Sequence, residues 1–144
     1  MTATAERQME LTLPMVPDIE IAAARAAGNM ARELGLSTEL VDEMTSAIIE
    51  ACINACEHSR SADNRIYVRC VGVSSDGNPR IDIWISDHGR GFDLTEVRAR
   101  RQQFGALHKR GRGLQIIEAH MDEVEINSTP DGTTIHMVKY GKKS

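Results

Sequence analysis

The chain has 144 residues, of which 41% are hydrophobic and 26% charged, with a formal net charge of −4 and a pI near 5.7. This length and composition fit one core, while the net acidity and only 3% aromatic residues argue against direct nucleic-acid binding. No stretch approaches the ~20 apolar residues of a membrane span, the N-terminus lacks a secretory signal pattern, and three cysteines exclude a full disulfide framework. We therefore expect a cytoplasmic protein that does not enter a membrane.

The sequence predicts one domain. No internal repeat, low-complexity tract or Pro/Gly-rich linker divides the chain, so we expect a flexible start at residues 1–8 and a single domain over residues 9–144. Residues 9–14 alternate between apolar and polar side chains, as in a strand, and Pro14 and Pro17 end that pattern.

Two helices are predicted next. Residues 18–34 have apolar and alanine side chains at helical spacing, with Asp18 as a plausible N-cap and Gly35 as the stop. Ser37 is the expected N-cap of a second helix that continues to about His58.

The second helix has two different faces. One stripe is expected to pack on the core, and it comprises Val41, Met44, Ile48, Cys52, Ala55 and Cys56. The opposite stripe comprises Glu43, Glu50, Asn54 and Glu57. Glu50 and Asn54 are four residues apart, so their side chains reach the same spot. A carboxylate can accept a proton and an amide oxygen can ligate Mg²⁺, although a merely solvated helix face would show the same pattern.

The remainder predicts two hairpins separated by a polar stretch and a helix. The expected elements are strands at 65–73 and 80–86, a possible short helix around 94–101, a helix at 113–121, and strands at 124–128 and 133–140. Trp84 and Tyr67 are expected on the sheet face opposite the isoleucines. This order predicts an α+β two-layer sandwich, with a mixed, mostly antiparallel sheet and helices on one face, rather than a doubly wound parallel sheet.

Two glycine-containing segments could bind a ligand. Asp87 follows the isoleucine-rich strand, and Gly89 and Gly91 after it would let the backbone approach a flat ring; an ordinary strand-end turn is the alternative. Gly111 and Gly113 precede a helix whose N-terminal amides suit phosphate, although a flexible loop is equally compatible. The second segment is neither a Walker loop nor a dinucleotide fingerprint.

Taken together, these segments resemble the GHKL ATPase superfamily. That group includes gyrase B, Hsp90, the ATP-binding domain of sensor histidine kinases and the bacterial anti-sigma factor serine kinases. Residues 50–58, EACINACEH, are similar to the N box of the last group, and residues 112–117, RGLQII, are similar to its second glycine box. The resemblance covers about residues 10–140. It implies a Bergerat-type ATP-binding fold that binds ATP or ADP with Mg²⁺.

The resemblance implies how the base of the nucleotide would be held. Asp87 would accept a hydrogen bond from the adenine amino group, and Gly89 and Gly91 would give the ring room. Thr133 would support the adenine pocket directly or through a water molecule.

It also implies how the phosphates would be handled. Asn54 would hold Mg²⁺, Glu50 would be the general base, and Arg112 and Gly113 would lie by the phosphates, with Leu114 at the start of the helix that supplies backbone amides. Phosphoryl transfer depends mostly on positioning and charge stabilisation, so one carboxylate and a closing loop suffice.

Residues 94–110 would form the ATP lid, whose basic side chains are Arg98, Arg100, Arg101, Lys109 and Arg110. The sequence departs from the pattern at Gln115, where many members carry another glycine. That substitution makes kinase chemistry less secure than nucleotide binding.

The function implied by the resemblance is a cytoplasmic anti-sigma factor that is also an ATP-dependent serine protein kinase. Its partners would be a sigma factor and a STAS-domain antagonist that it phosphorylates, and a homodimer is expected from the family alone. The alternatives are a nucleotide-binding regulatory module with little or no turnover and a detached histidine-kinase catalytic domain. The last is disfavoured because the first strand is expected within about ten residues of the start, which leaves no room for a phosphoacceptor helix pair.

Overall fold

The computed structural model describes residues 4–58, 61–89 and 113–141. In chain order the elements of these ranges are β1 (Thr4–Pro14), α1 (Ile19–Glu33), α2 (Thr38–His58), β2 (Arg65–Ser75), β3 (Asn78–Asp87), α3 (Gly113–His120), β4 (Glu123–Thr129) and β5 (Gly132–Tyr140). The predicted short helix at 94–101 lies outside the described residues. None of the helices in the described ranges is long and apolar enough to span a membrane.

The strands form one five-stranded sheet in the order β1-β2-β3-β5-β4. The expected α+β architecture is confirmed, but every pair of neighbouring strands in the described chain is antiparallel, where a mixed sheet was expected. Two of the pairs are hairpins, and the longer connections also return the chain in the opposite direction, so no parallel pair arises.

The core lies between one face of the sheet and the helices. Alternate residues of each strand point to that face, and Ile81, Ile83 and Ile85 of β3 are almost fully buried there. Met44 and Ile48 of α2 are buried against them in the same cluster. Burial of each such side chain stabilises the fold by roughly 1.5–3 kcal/mol relative to exposure, so this layer carries much of the stability.

The N-terminal strand begins earlier than expected. β1 starts at Thr4 and pairs with β2 along its whole length, from Thr4 opposite Ser75 to Pro14 opposite Arg65. The prediction that residues 1–8 are flexible is therefore wrong for residues 4–8. The described side chains of these residues are exposed, so no alternation of apolar and polar residues indicated a strand. The strand forms because β2 is long enough to provide hydrogen-bonding partners for residues 4–8.

The first hairpin has a tighter turn than expected. Ser75 pairs with Asn78, which leaves Asp76 and Gly77 as a two-residue turn with φ of 54° and 74°. Positive φ at both central positions is the geometry that fits the twist of two antiparallel strands. Pro79, expected in the turn, lies inside β3 instead.

The helix ends largely follow the sequence. Asp18 occupies the N-cap of α1, but it has a φ of 68° and its side chain makes no capping hydrogen bond. Gly35, with φ 97°, follows the end of α1, and the Leu40 backbone N–H donates to Ser37 Oγ at 3.2 Å. Cys52 and Ala55 are buried while Cys56 is exposed, so the core stripe of α2 ends at Ala55, one residue earlier than predicted. Burial raises the pKa of the Cys52 thiol to about 12, consistent with a packing role.

The other face of the sheet is open and polar. Trp84 lies there, as predicted, and stacks on His136 with ring centroids 4.4 Å apart, while the Arg69 guanidinium lies 5.0 Å from the Trp84 centroid. Asp82, on the same face, accepts from Arg80 Nε at 2.7 Å and bonds His136 Nε2 at 2.8 Å. Burial acts to raise the pKa of Asp82, but these two partners outweigh it and the pKa is lowered.

Candidate functional site

A small cavity between α2, β3 and β5 brings together three of the predicted site residues. Its lining consists of Asn54, Asp87 and Thr133, with Ala51, Ala55, Ile85 and Ile135 as apolar walls. The cavity volume is about 10 Å³, which is room for about one water molecule. The cavity can therefore form the deepest part of a ligand site, with apolar walls and a few polar groups that converge.

Two alanines of α2 form part of the cavity wall, although the sequence pattern placed Ala55 only on the core stripe and did not single out Ala51. Ala51 and Ala55 lie three residues before and one residue after Asn54, so they belong to neighbouring positions on the same side of the helix. Larger side chains at these positions would fill the space between α2 and the sheet. The available signal was two alanines flanking a candidate ligand residue at helical spacing.

Asp87 reaches the cavity because of strand alternation. It continues the buried series of isoleucines to the last residue of β3 and is only 5% exposed. Its Oδ1 accepts from the Gly89 backbone N–H at 2.9 Å, and the Thr133 backbone N–H also donates to the carboxylate. Burial raises the pKa of Asp87, and these two hydrogen bonds offset the rise only in part. The result is a buried carboxylate that can accept a hydrogen bond from a ligand.

A second group of side chains holds the segment around Asp87 from the open face. His88 Nδ1 and the Tyr67 hydroxyl bond the same oxygen of Asp63, at 3.1 Å and 2.5 Å, and the two rings stack with centroids 4.5 Å apart. Hydrogen bonds from Ser61 and Tyr67 lower the pKa of Asp63. His88 is thereby joined to the α2–β2 connection.

The start of α3 lies directly against Asn54. A Cβ added at Gly113 would be 2.9 Å from Asn54 Nδ2 and 3.0 Å from Oδ1, distances that real Cβ atoms rarely or never show. Glycine is therefore required here if the Asn54 amide is to keep its place. The contact joins the predicted phosphate-binding helix start to the predicted metal ligand.

The turn between β4 and β5 closes the site from the other side. A Cβ at Gly132 would lie 2.2 Å from the Asp87 carbonyl oxygen, so this residue allows a close backbone approach. Thr133, next to it, is 3% exposed, and its hydroxyl is 2.8 Å from the Ser128 hydroxyl across the hairpin. The turn thereby fixes Thr133 beside Asp87.

The remaining predicted residues are less closely associated with the cavity. Glu50 is half-buried one helical turn before Asn54, and it is not part of the cavity wall. The side chain of Leu114 belongs to the hydrophobic core, which leaves its backbone amide as the group that could face a ligand. Gly91, Arg112 and the predicted lid at residues 94–110 lie outside the described residues.

The chemistry of these residues fits a magnesium nucleotide. The amide oxygen of Asn54 is the kind of hard ligand that Mg²⁺ takes, and Mg²⁺ usually keeps few protein ligands and completes its shell with water and phosphate oxygens. Among the described residues there is no group of three His, Cys, Asp or Glu side chains that could hold a metal alone. A metal beside Asn54 would thus depend on oxygens from a bound ligand.

Two larger grooves of the described surface contain none of the predicted site residues. One, of about 430 Å³, lies between α1 and α2, and the other, of about 390 Å³, lies on the open face of β1, β2 and β3. The small cavity is therefore the better candidate, because it combines the buried carboxylate with Asn54 and Thr133.

The chain is similar to proteins of known family and fold. The sequence profile described as histidine kinase-like ATPase domain matches residues 16–139. The chain is 30% identical over 142 residues to a serine-protein kinase RsbW from Oceanobacillus iheyensis, an alignment that covers 92% of this chain and 85% of that protein. It is 29% identical over 144 residues to an anti-sigma F factor of the same species, with 96% of each chain covered. The solved RsbU and RsbW domains of a Mycobacterium tuberculosis protein share the fold, with a TM-score of 0.66 and 20% identity over 96% of this chain and 34% of that one.

Proposed function

Because the chain belongs to the histidine kinase-like ATPase domain family, we propose that it is a cytoplasmic bacterial anti-sigma factor with ATP-dependent serine protein kinase activity. The observation that carries the proposal is the meeting of Asn54, Asp87 and Thr133 at one cavity, with Gly113 against Asn54. Relatives named serine-protein kinase and anti-sigma F factor, aligned over nearly the whole chain, support both parts of the function.

The adenine end of the site depends on Asp87. Its buried carboxylate accepts a hydrogen bond from the adenine amino group, while Gly89 leaves the strand end free of a side chain. Thr133 contributes its hydroxyl or holds a water molecule in the cavity, whose volume suits one water. A hydrogen bond to a buried charged group contributes about 1.5–3 kcal/mol, enough to select adenine over a base that presents a carbonyl at that position.

The phosphate end depends on α2 and the start of α3. Asn54 would hold Mg²⁺, which neutralises charge on the phosphates when it is bound. The N-terminal amides of α3, from Gly113 and Leu114 onward, face negative charge favourably because the helix dipole has its positive end there. Arg112 and the basic lid side chains would add charge from residues outside the described ranges.

Glu50 is the proposed general base. Its carboxylate would take the proton of a substrate serine hydroxyl as the serine oxygen attacks the terminal phosphorus of ATP, and ADP leaves with the electron pair of the broken P–O bond. General-base catalysis usually contributes about 10²- to 10⁴-fold, so the reaction depends strongly on this carboxylate. The half-buried place of Glu50, one turn from Asn54, puts it on the side of α2 that carries the metal ligand.

The relative named anti-sigma F factor supports a sigma factor as one partner, while the STAS-domain antagonist and the homodimer are proposed from the family resemblance. A sigma factor would be bound and released, and a STAS-domain antagonist would be the phosphorylated substrate; the protein would act as a homodimer. The second candidate is a nucleotide-binding regulatory module with little or no turnover. Gln115 favours it, because this exposed position of α3 carries a side chain where the family resemblance leads us to expect glycine.

The test is incubation of the purified protein with Mg-ATP and a candidate STAS-domain antagonist, followed by intact-mass measurement of both chains. We expect the antagonist to gain one phosphoryl group and this chain to gain none. Tight ATP binding with no transfer to any antagonist would support the regulatory module, and a phosphoryl group on this chain would contradict transfer to a partner serine.

A further inference from the structure

Lys139 is a buried cation that joins three elements. It lies on the core face of β5 and is 2% exposed. Its ammonium donates to Glu43 Oε2 of α2 at 2.9 Å and to the backbone carbonyl oxygen of His120, the last residue of α3. One side chain thus contacts the helix that carries Glu50 and Asn54 and the helix that begins at Gly113.

Both contacts are physically favourable for a buried ammonium. The last carbonyls of a helix lack intrahelical partners and carry the negative end of its dipole, so a cation there satisfies an acceptor and stabilises the helix end. The carboxylate of Glu43 offsets the cost of removing the charge from water. Loss of the ammonium would leave both acceptors without this donor.

The contact at the end of α3 bears on the site at its start. The helix has eight residues and is about 12 Å long, so it moves as a rigid rod. At its N-terminus, the Cα of Gly113 lies against the Asn54 amide so closely that a Cβ would collide with it. A shift or tilt of α3 relative to α2 would therefore change the place of the Asn54 side chain.

The connection after α3 is also tied to β5, by two hydrogen bonds that do not involve α2. The Asp122 backbone N–H donates to the Val138 carbonyl oxygen at 2.9 Å, and the Tyr140 backbone N–H donates to Asp122 Oδ2 at 2.7 Å. These two hydrogen bonds attach the connection after α3 to the sheet. Lys139 contacts both the His120 carbonyl oxygen and Glu43, and so links the end of α3 to α2.

We propose that Lys139 is a positioning residue of the nucleotide site. It holds the C-terminal end of α3 to α2, and this contact sets how Gly113 packs on Asn54 and so the affinity for the magnesium nucleotide. The inference rests on the proposed function, in which Asn54 holds Mg²⁺.

The test compares Lys139→Met, which keeps most of the side-chain volume, with Leu34→Ala as a matched control. Leu34 is buried and lies close to Gly72 of β2, so its truncation lowers stability at a residue that the proposal does not involve. Calorimetry measures the affinity for Mg-ATP and for ATP with the metal chelated. Hydrogen exchange measures the protection of the α3 amides relative to those of β2 and β3.

We expect Lys139→Met to weaken Mg-ATP binding by about three- to thirtyfold, the range found for residues that act through a neighbour. Binding of metal-free ATP should change less, and the α3 amides should exchange about tenfold faster while the β2 and β3 amides keep their relative protection. Leu34→Ala should lower the melting temperature and leave Mg-ATP affinity unchanged. In an Asn54→Ala background, Lys139→Met should cause no further loss of Mg-ATP affinity.

A second variant covers the case in which Lys139→Met does not fold. Glu43→Gln keeps an acceptor for Lys139 but removes the negative charge, and we expect the same changes at smaller size. The inference is overturned if either soluble variant changes Mg-ATP affinity no more than Leu34→Ala does, or if its α3 amides keep wild-type protection. A wild-type protein that binds no Mg-ATP would reject the proposed function and this inference together, whereas normal wild-type binding with unaffected variants would reject the inference alone.

Discussion

At the scale of single residues, the site depends on which face of its element each residue occupies. Asp82 and Asp87 lie on the same strand at positions that differ by five, an odd offset, so Asp87 enters the buried cavity and Asp82 lies on the open polar face. Burial raises the pKa of Asp87, while Arg80 and His136 lower that of Asp82 in spite of its partial burial. The same side-chain type is thus a buried carboxylate in one place, where we propose that it binds adenine, and a partner of surface charges in the other.

This difference gives a matched pair of variants. Asp87→Asn should weaken ATP binding by roughly 10- to 100-fold, because the carboxylate that accepts the adenine amino hydrogen becomes an amide. Asp82→Asn should disturb the contacts with Arg80 and His136 but leave nucleotide affinity unchanged. Calorimetry with ATP and GTP makes the measurement, and the wild-type protein should prefer ATP. Wild-type ATP affinity in Asp87→Asn would remove Asp87 from the proposed role.

Gly113 supports a second prediction at this scale. Gly113→Ala places a Cβ within 2.9 Å of the Asn54 amide, so the amide has to move. Displacement of a group that orients a metal ligand typically costs about 10- to 100-fold in metal affinity, and we expect the magnesium dependence of ATP binding to weaken by a similar factor. Gly28→Ala, within α1 and away from the site, is the control. Equal magnesium dependence in the two variants would contradict the contact between Gly113 and Asn54.

At the scale of elements, the segment that follows α2 is hydrogen-bonded to the end of β3. The residues involved, Ser61, Ala62, Asp63, Tyr67 and His88, are called the Asp63 cluster. Asp63 accepts hydrogen bonds from Ser61, Tyr67 and His88, and the backbone N–H of Ala62 donates to the His88 carbonyl oxygen at 3.5 Å. The Asp63 cluster lies on the open side of β3, and Asp87 lies on the core side. It restrains the backbone that follows Asp87.

The lowered pKa of Asp63 makes the stability of the Asp63 cluster sensitive to acid. Because the folded-state pKa lies below the ordinary value of 3.8, the carboxylate contributes stability above that value and loses it as the pH falls towards the folded-state pKa. Asp63→Asn should therefore lower the melting temperature at pH 6, and its difference from wild type should shrink between about pH 4 and pH 2.

Circular dichroism melts across this pH range make the measurement. Asp76→Asn is the control, since Asp76 lies in a two-residue turn whose positive φ suits asparagine equally well. A difference between Asp63→Asn and wild type that stays constant from pH 6 to pH 2 would contradict the role of the ionised carboxylate.

The sequence predicted the helices and strands well where hydrophobic periodicity was clear. It predicted the structure less well where contacts between distant segments of the chain determine it. The two hairpins and three described helices were expected within a few residues, since alternation and helical spacing are local properties. The first residues of β1 were missed because β2, a distant segment, provides their hydrogen bonds. The closeness of Gly113 to Asn54 and the burial of Lys139 depend on how α3 packs on α2, which no local pattern specifies.

At the scale of the whole molecule, topology assembles the site from distant parts of the chain. Placing β5 between β3 and β4 brings Thr133 beside Asp87, and packing α2 across the sheet brings Asn54 to the same cavity. The sequence resemblance named all three residues, although the spacing along the chain could not show that they meet. Nucleotide binding and phosphoryl transfer should consequently be separable, because Asp87 and Glu50 lie on different elements.

We propose that Glu50 and Asn54, one turn apart on α2, have different roles in one reaction. The direct test is a paired measurement of Mg-ATP affinity and antagonist phosphorylation for wild type, Glu50→Gln and Asn54→Ala. Glu50→Gln should bind Mg-ATP normally and transfer phosphate at least roughly 10²-fold more slowly, because the amide cannot accept the serine proton. Asn54→Ala should lose both transfer and magnesium-dependent affinity. Phosphorylation at the wild-type rate by Glu50→Gln would contradict the account.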